Sequence, residues 1–188
     1  MLLPPKQVID FEQLRSEGLK IKEIKSMYSK LKIFPTPFKG IYYIPSEEEH
    51  AGSFIERPMR ILSKSIEYFL NSEEFYFSCK TAEEAYGIDW HMSGEVHIVN
   101  LKLSRVIDLK ERISRNKMKG NWRSKKLATL LSFYGRVLIF HKVENISRVK
   151  TKLTRYGRFA TKSQIKKDKK RFRERWCRER DLNSRTCR

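Results

Sequence analysis

The chain has 188 residues, 39% hydrophobic and 12% aromatic, enough for one core or a core with a small appended module and too apolar for full disorder. No run approaches the roughly 18 apolar residues of a membrane span, and Met1-Leu2-Leu3-Pro4-Pro5 lacks the regions of a signal peptide, so a cytoplasmic location without membrane contact is expected. The net charge of +19 is uneven: Arg148 to Arg188 holds 17 Lys and Arg against 4 acids, Leu101 to Lys126 holds 10 against 2, and the remaining 14 against 16 are near neutral, so two basic segments on a neutral body point to nucleic acid.

Pro4 and Pro5 suit a helix entry, and Val8, Phe11 and Leu14 lie along one helical face up to about Ser16, where Gly18 ends it. A second helix is expected from about Lys20 to Lys30, with Ile21, Ile24, Tyr28 and Leu31 in its apolar stripe and Lys20, Lys22, Lys25 and Lys30 off it. Phe34 to Phe38 reads as a turn and Gly40 to Ile44 as a strand. The pattern is helix–turn–helix with positive charge outside, abbreviated because a winged helix places three helices before its wing strands and only about two fit. The same stripes also suit helices that simply pack on a body. Ser46 to Gly52, with Glu47, Glu48, Glu49 and His50, is an acidic loop or helix start, and Ile55, Met59, Leu62, Ile66 and Phe69 mark a core helix from about Ile55 to Asn71.

Glu74 to Asn100 carries the densest set of agreeing signals. Phe75, Tyr76 and Phe77 suit a strand, Thr81 with Glu84 forms a capping-box pattern, and Gly87 ends the helix just past Tyr86. Ser93-Gly94 turns the chain into a strand over Glu95 to Val99. Lys102 to Lys126 then breaks the apolar pattern while Val106, Ile107, Leu109 and Ile113 anchor it. A short helix over Leu127 to Phe133 and a strand over Arg136 to Val143 follow, the strand's continuous apolar run suggesting cover on both faces. From Val149 another strand or helix is expected, and Ile165 to Arg180 is a basic helix candidate with Ile165, Phe172 and Trp176 near one face. Back-translated, Arg180 to Arg185 resembles the reverse complement of the T-arm of a tRNA gene, from which the reading frame is expected to end inside an antisense tRNA gene.

Two stretches carry a family resemblance. Tyr76, Ser78, Ala82, Ala85, Tyr86, Gly87, Ile88, Val96, Ile98 and Val99, together with Lys39 to Pro45 upstream and Phe140, Lys142 and Val143 downstream, resemble the AbiEi family of antitoxins over roughly Gly40 to Val143. The resemblance implies a winged-helix domain before an α/β antitoxin domain. It also implies a transcriptional regulator of a type IV toxin–antitoxin system, repressing its own operon by binding double-stranded promoter DNA. The functional partner would be a nucleotidyltransferase-like toxin that need not touch the antitoxin. An inverted-repeat operator would favour a homodimer or cooperative monomers.

Catalytic chemistry finds weaker footing. Cys79, Cys177 and Cys187 fit neither a disulfide framework nor a zinc site and read as free thiols. Cys79 at a helix start is more simply a small packing residue than a nucleophile, and His91, His97 and His141 lack paired metal-ligand spacing. Asp89 followed by Asp108-Leu109-Lys110 superficially matches a Mg-dependent nuclease, but a salt bridge from Asp108 to Arg105 or Arg112 explains it more simply.

The expected molecule is thus a non-enzymatic α/β (α+β) protein without cofactor. A winged-helix-like module occupies 1–45, a mixed α/β antitoxin-type body 46–162, and a basic helix or tail 163–188. Its nucleic-acid contacts are expected at Lys20, Lys22, Lys25, Lys30, Lys39, Arg105, Arg112, Arg115, Lys117, Lys119, Arg123, Lys125 and Lys126. The alternative partner is RNA, as a sequence-tolerant RNA- or ribosome-associated protein on which Trp122 and Tyr134 offer stacking surfaces.

Overall fold

The computed structural model describes residues 3–89 and 93–172 of the chain. Among the described residues it is a mixed α/β protein with two sheets and 8 helices, divided into two compact units. The first unit comprises Met1–Glu73 and Ile107–Val137, and the second Glu74–Val106 and Leu138–Arg188, so each is assembled from two separated stretches.

The first unit begins with β1 (Gln7–Asp10), which replaces the expected opening of a helix. Val8 and Ile9 favour a pleated surface, and pairing along β3 (Ile41–Ile44) satisfies their backbone, which outweighs the helical spacing of Val8, Phe11 and Leu14. The helix starts only at α1 (Phe11–Ser16), where the Asp10 carboxylate accepts the Gln13 N–H at 2.7 Å. Next come α2 (Ile21–Ser29) and the short β2 (Phe34–Pro35), which pairs antiparallel with β3, so the sheet order is β1-β3-β2. Ile9, Leu14, Ile24, Ile33 and Ile44 form a core beneath it, each buried aliphatic side chain contributing about 1.5–3 kcal/mol.

The acidic stretch folds as α3 (Glu47–Gly52) and the core helix as α4 (Pro58–Leu70), which packs on β1 and β3. Returning after the second unit's first stretch, the chain supplies α6 (Lys110–Met118) and α7 (Trp122–Ser132), packed on one another, with α7 also against β2. The basic segment is therefore mostly a helical hairpin, and α7 starts five residues before the expected Leu127 because the Asn121 side chain caps it by accepting the Ser124 N–H at 2.8 Å.

The second unit is built on a six-stranded sheet ordered β6-β7-β5-β4-β9-β8. Its strands are β4 (Phe75–Phe77), β5 (Glu95–Asn100), β6 (Arg105–Asp108), β7 (Val137–Lys142), β8 (Thr151–Thr154) and β9 (Gly157–Ala160), with α5 (Cys79–Ala85) after β4. β4 runs antiparallel to β5 and parallel to β9, while β8 and β9 form a hairpin. β7 buries Leu138, Ile139, Phe140 and His141 in succession, the pattern of an interior strand covered on both faces. Thr81 does not form the expected capping box: Ser78 is the N-cap, and the Thr81 hydroxyl accepts the His97 N–H at 2.7 Å, tying α5 to β5.

A last helix, α8, covers 162–172 and buries Ile165, Asp168 and Phe172 at helical spacing. The first part of the basic terminal segment is thus packed helix. Trp176, Cys177, Cys187, the remainder of the expected basic helix and the tRNA-like terminus lie outside the described residues, as does His91.

Candidate nucleic-acid interface

In the first unit α1 and α2 are joined by a four-residue turn, Glu17 to Lys20. Gly18 adopts φ +87° there, a left-handed conformation that side chains disfavour. The N-terminus of α2 is held by the Glu23 carboxylate, which accepts the Lys20 N–H at 2.6 Å. Ile24 faces the core, leaving Lys20, Lys22, Lys25 and Lys30 exposed, with Lys32 beyond them. Lys39 is exposed in the turn between β2 and β3, a turn fixed by the buried Thr36 hydroxyl, which donates to the Ile41 carbonyl at 2.8 Å. Among the described residues none of these lysines forms an ion pair, so their charge is available to a ligand.

Three of the expected phosphate contacts instead hold the α6–α7 hairpin to the rest of this unit. Arg112 donates to the Pro37 carbonyl at 2.7 Å, fixing α6 to the β2–β3 turn. Arg123 donates to the Ser29 carbonyl at 2.8 Å, with its guanidinium 5.5 Å from the Tyr28 ring centroid. It thereby places a cation at the carbonyl end of α2, where helix carbonyls lack partners and the dipole favours positive charge. Lys126, only 8% exposed, donates to the His50 carbonyl at 2.9 Å, and burial lowers its ammonium pKa. Lys126 is thus a strut within the unit.

The hairpin's outer surface is different. Lys117, Lys119 and Lys125 are exposed and without ion pairs among the described residues, while Arg115 is exposed but paired with Glu111. The α6–α7 turn, Lys119-Gly120-Asn121, also carries Met118 and Trp122, 86% and 69% exposed. Arg123 links the start of α7 to the end of α2. Tyr134, by contrast, is fully buried and offers no stacking surface. Sequence reading missed Met118, whose only signal is its place between Lys117 and Lys119.

Arg105 is exposed on β6, in the second unit. That unit also buries a cluster of polar side chains. Asp168, 3% exposed, accepts from the Ser78 hydroxyl at 2.6 Å, the Tyr76 hydroxyl at 3.2 Å and the Gln164 amide at 2.8 Å. The adjacent Cys79 thiol is pushed up to about 12 by burial and the nearby Asp168 charge, the opposite of an activated nucleophile. His97 Nδ1 and His141 Nε2 lie 3.0 Å apart, and burial lowers the His97 pKa against the opposing pull of Glu95.

Among the described residues no three His, Cys, Asp or Glu side chains converge on a metal position. Asp108 accepts the Lys110 backbone N–H at 2.7 Å, a local turn contact that replaces the expected ion pair with Arg105 or Arg112. A groove of about 870 Å³ in the first unit mixes Lys6 and Lys64 with Glu56 and Glu67, which neutralise them in pairs. No protein-family model, curated protein or solved structure matches the chain.

Proposed function

We propose that the chain is a DNA-binding regulator whose α1–α2 pair and β2–β3 hairpin act as an abbreviated winged-helix module on duplex DNA. The observation that carries the reading is the exposed, unpaired lysine face of α2, presented beside a β1-β3-β2 sheet whose hairpin turn displays Lys39. A nine-residue helix is about 13.5 Å long, and its diameter of roughly 10–12 Å with side chains fits the roughly 12 Å width of a major groove. In this reading Lys22 and Lys25 face the duplex, while Lys30 and Lys39 take phosphates on either side. The regulatory context comes from the AbiEi resemblance: repression of its own operon as the antitoxin of a nucleotidyltransferase-like toxin.

The test is binding of the full chain to its own upstream duplex against a scrambled duplex and structured RNA over a salt series. Preference for the upstream duplex that persists as salt rises supports the regulator. Equal binding to all three, abolished together by salt, refutes it and leaves a general polyanion binder. Co-expression with the neighbouring gene product tests the antitoxin role, which requires that growth inhibition by that product be relieved.

A further inference from the structure

We propose that the α6–α7 turn is a second nucleic-acid contact, one that receives an unpaired base on the Trp122 indole. The inference rests on the nucleic-acid reading above but uses a different part of the first unit. Two large apolar side chains, Met118 and Trp122, stand exposed on either side of a three-residue turn. Pure phosphate binding needs neither, and a solvated basic hairpin would more cheaply carry polar residues there. Gly120, at φ +72°, lets the chain reverse so tightly that the exposed pair flanks a single bend.

The indole is also positioned in advance. The Lys126 ammonium sits 5.2 Å from the Trp122 ring centroid and is itself held by the His50 carbonyl and lies 5.7 Å from the Phe34 ring centroid. A buried cation therefore supports the indole from within while most of the ring remains open. Around the opening, Lys117, Lys119 and Lys125 supply exposed positive charge that is unpaired among the described residues. An aromatic platform ringed by cations matches a base with its flanking phosphates, and a base paired in a duplex does not expose its face. Stacking does not depend on the 2′-hydroxyl, so single-stranded DNA and RNA are both ligands of the same chemistry.

The experiment compares the full chain with Trp122→Ala and Trp122→Phe on dT12, U12 and a blunt duplex, with circular dichroism as a folding control. Trp122→Ala is expected to weaken dT12 and U12 roughly 5- to 150-fold, the range of one lost base stack, with the salt slope unchanged. Blunt-duplex affinity is expected to stay within about twofold, and Trp122→Phe to restore most of the loss. An unchanged affinity for single strands, or an equal loss on blunt duplex, overturns the inference. A wild-type chain that binds blunt duplex but neither dT12 nor U12 overturns it alone, whereas one that binds no nucleic acid removes the duplex reading as well.

Discussion

The exposed lysines of the first unit and the buried polar side chains of the second are put to opposite uses. In the first, lysines on α2 and on the α6–α7 turn are exposed and unpaired among the described residues, while a few related side chains, Arg112, Arg123 and Lys126, are spent on holding the helices together. In the second, Asp168 and Asn100 are enclosed by partners: Asn100 alone accepts from the Lys102 and Leu103 N–H groups and donates to the Leu103 and His141 carbonyls. Residue type therefore does not decide role. What decides it is whether the structure has already satisfied the group, because a satisfied donor has little left to offer a ligand.

The largest effect that separates the units is expected from Asp168→Ala. It orphans the Ser78 and Tyr76 hydroxyls and the Gln164 amide, at a cost of about 3 kcal/mol or more. Thermal unfolding should fall by roughly 6–12 °C, with duplex affinity unchanged below the transition. The converse variant, Lys22→Glu with Lys25→Glu, should lower duplex affinity on the order of 10- to 100-fold at low salt and leave stability within about 0.5 kcal/mol.

A smaller effect sharpens the contrast within two adjacent residues. Lys126→Met removes the partner of the His50 carbonyl and should cost about 1 kcal/mol in denaturant unfolding while sparing duplex affinity. Lys125→Met should do the reverse. The smallest effect is expected in the pH dependence of the second unit. His97 titrates below its ordinary 6.5, so between that lowered value and 6.5 the unfolded state binds more protons than the native state. Stability should rise with pH through that interval and level off above it, and His97→Asn should flatten the profile.

Much of the frame was legible in the sequence because local signals and tertiary structure agreed. Gly18 and Gly87 end helices, Phe75 to Phe77 and the run from Val137 form strands, and the lysine face of α2 points outward. Legibility failed where a distant partner decided the outcome. Val8 is strand because β3 lies beside it, and Thr81 serves β5 rather than its own helix. The basic segment hid a helical hairpin because charge masked its weak apolar stripe, of which Ile113 is the buried residue in α6. Among the candidate site residues, no local pattern distinguishes the strut Lys126 from the exposed Lys125. That difference depends on the His50 carbonyl, 76 positions away in sequence.

The most direct test is the salt dependence of duplex affinity for two variants that remove the same charge from different units. One carries Lys22→Gln, Lys25→Gln and Lys119→Gln; the other carries Lys150→Gln, Lys152→Gln and Arg158→Gln, all at exposed positions. The first should weaken binding and make the slope of log K against log salt less negative by about 0.9 for each phosphate left without its cation, while the second stays near the wild type. An equal weakening in both would mean that total charge, and not the α2 surface, carries the binding, and would contradict the account.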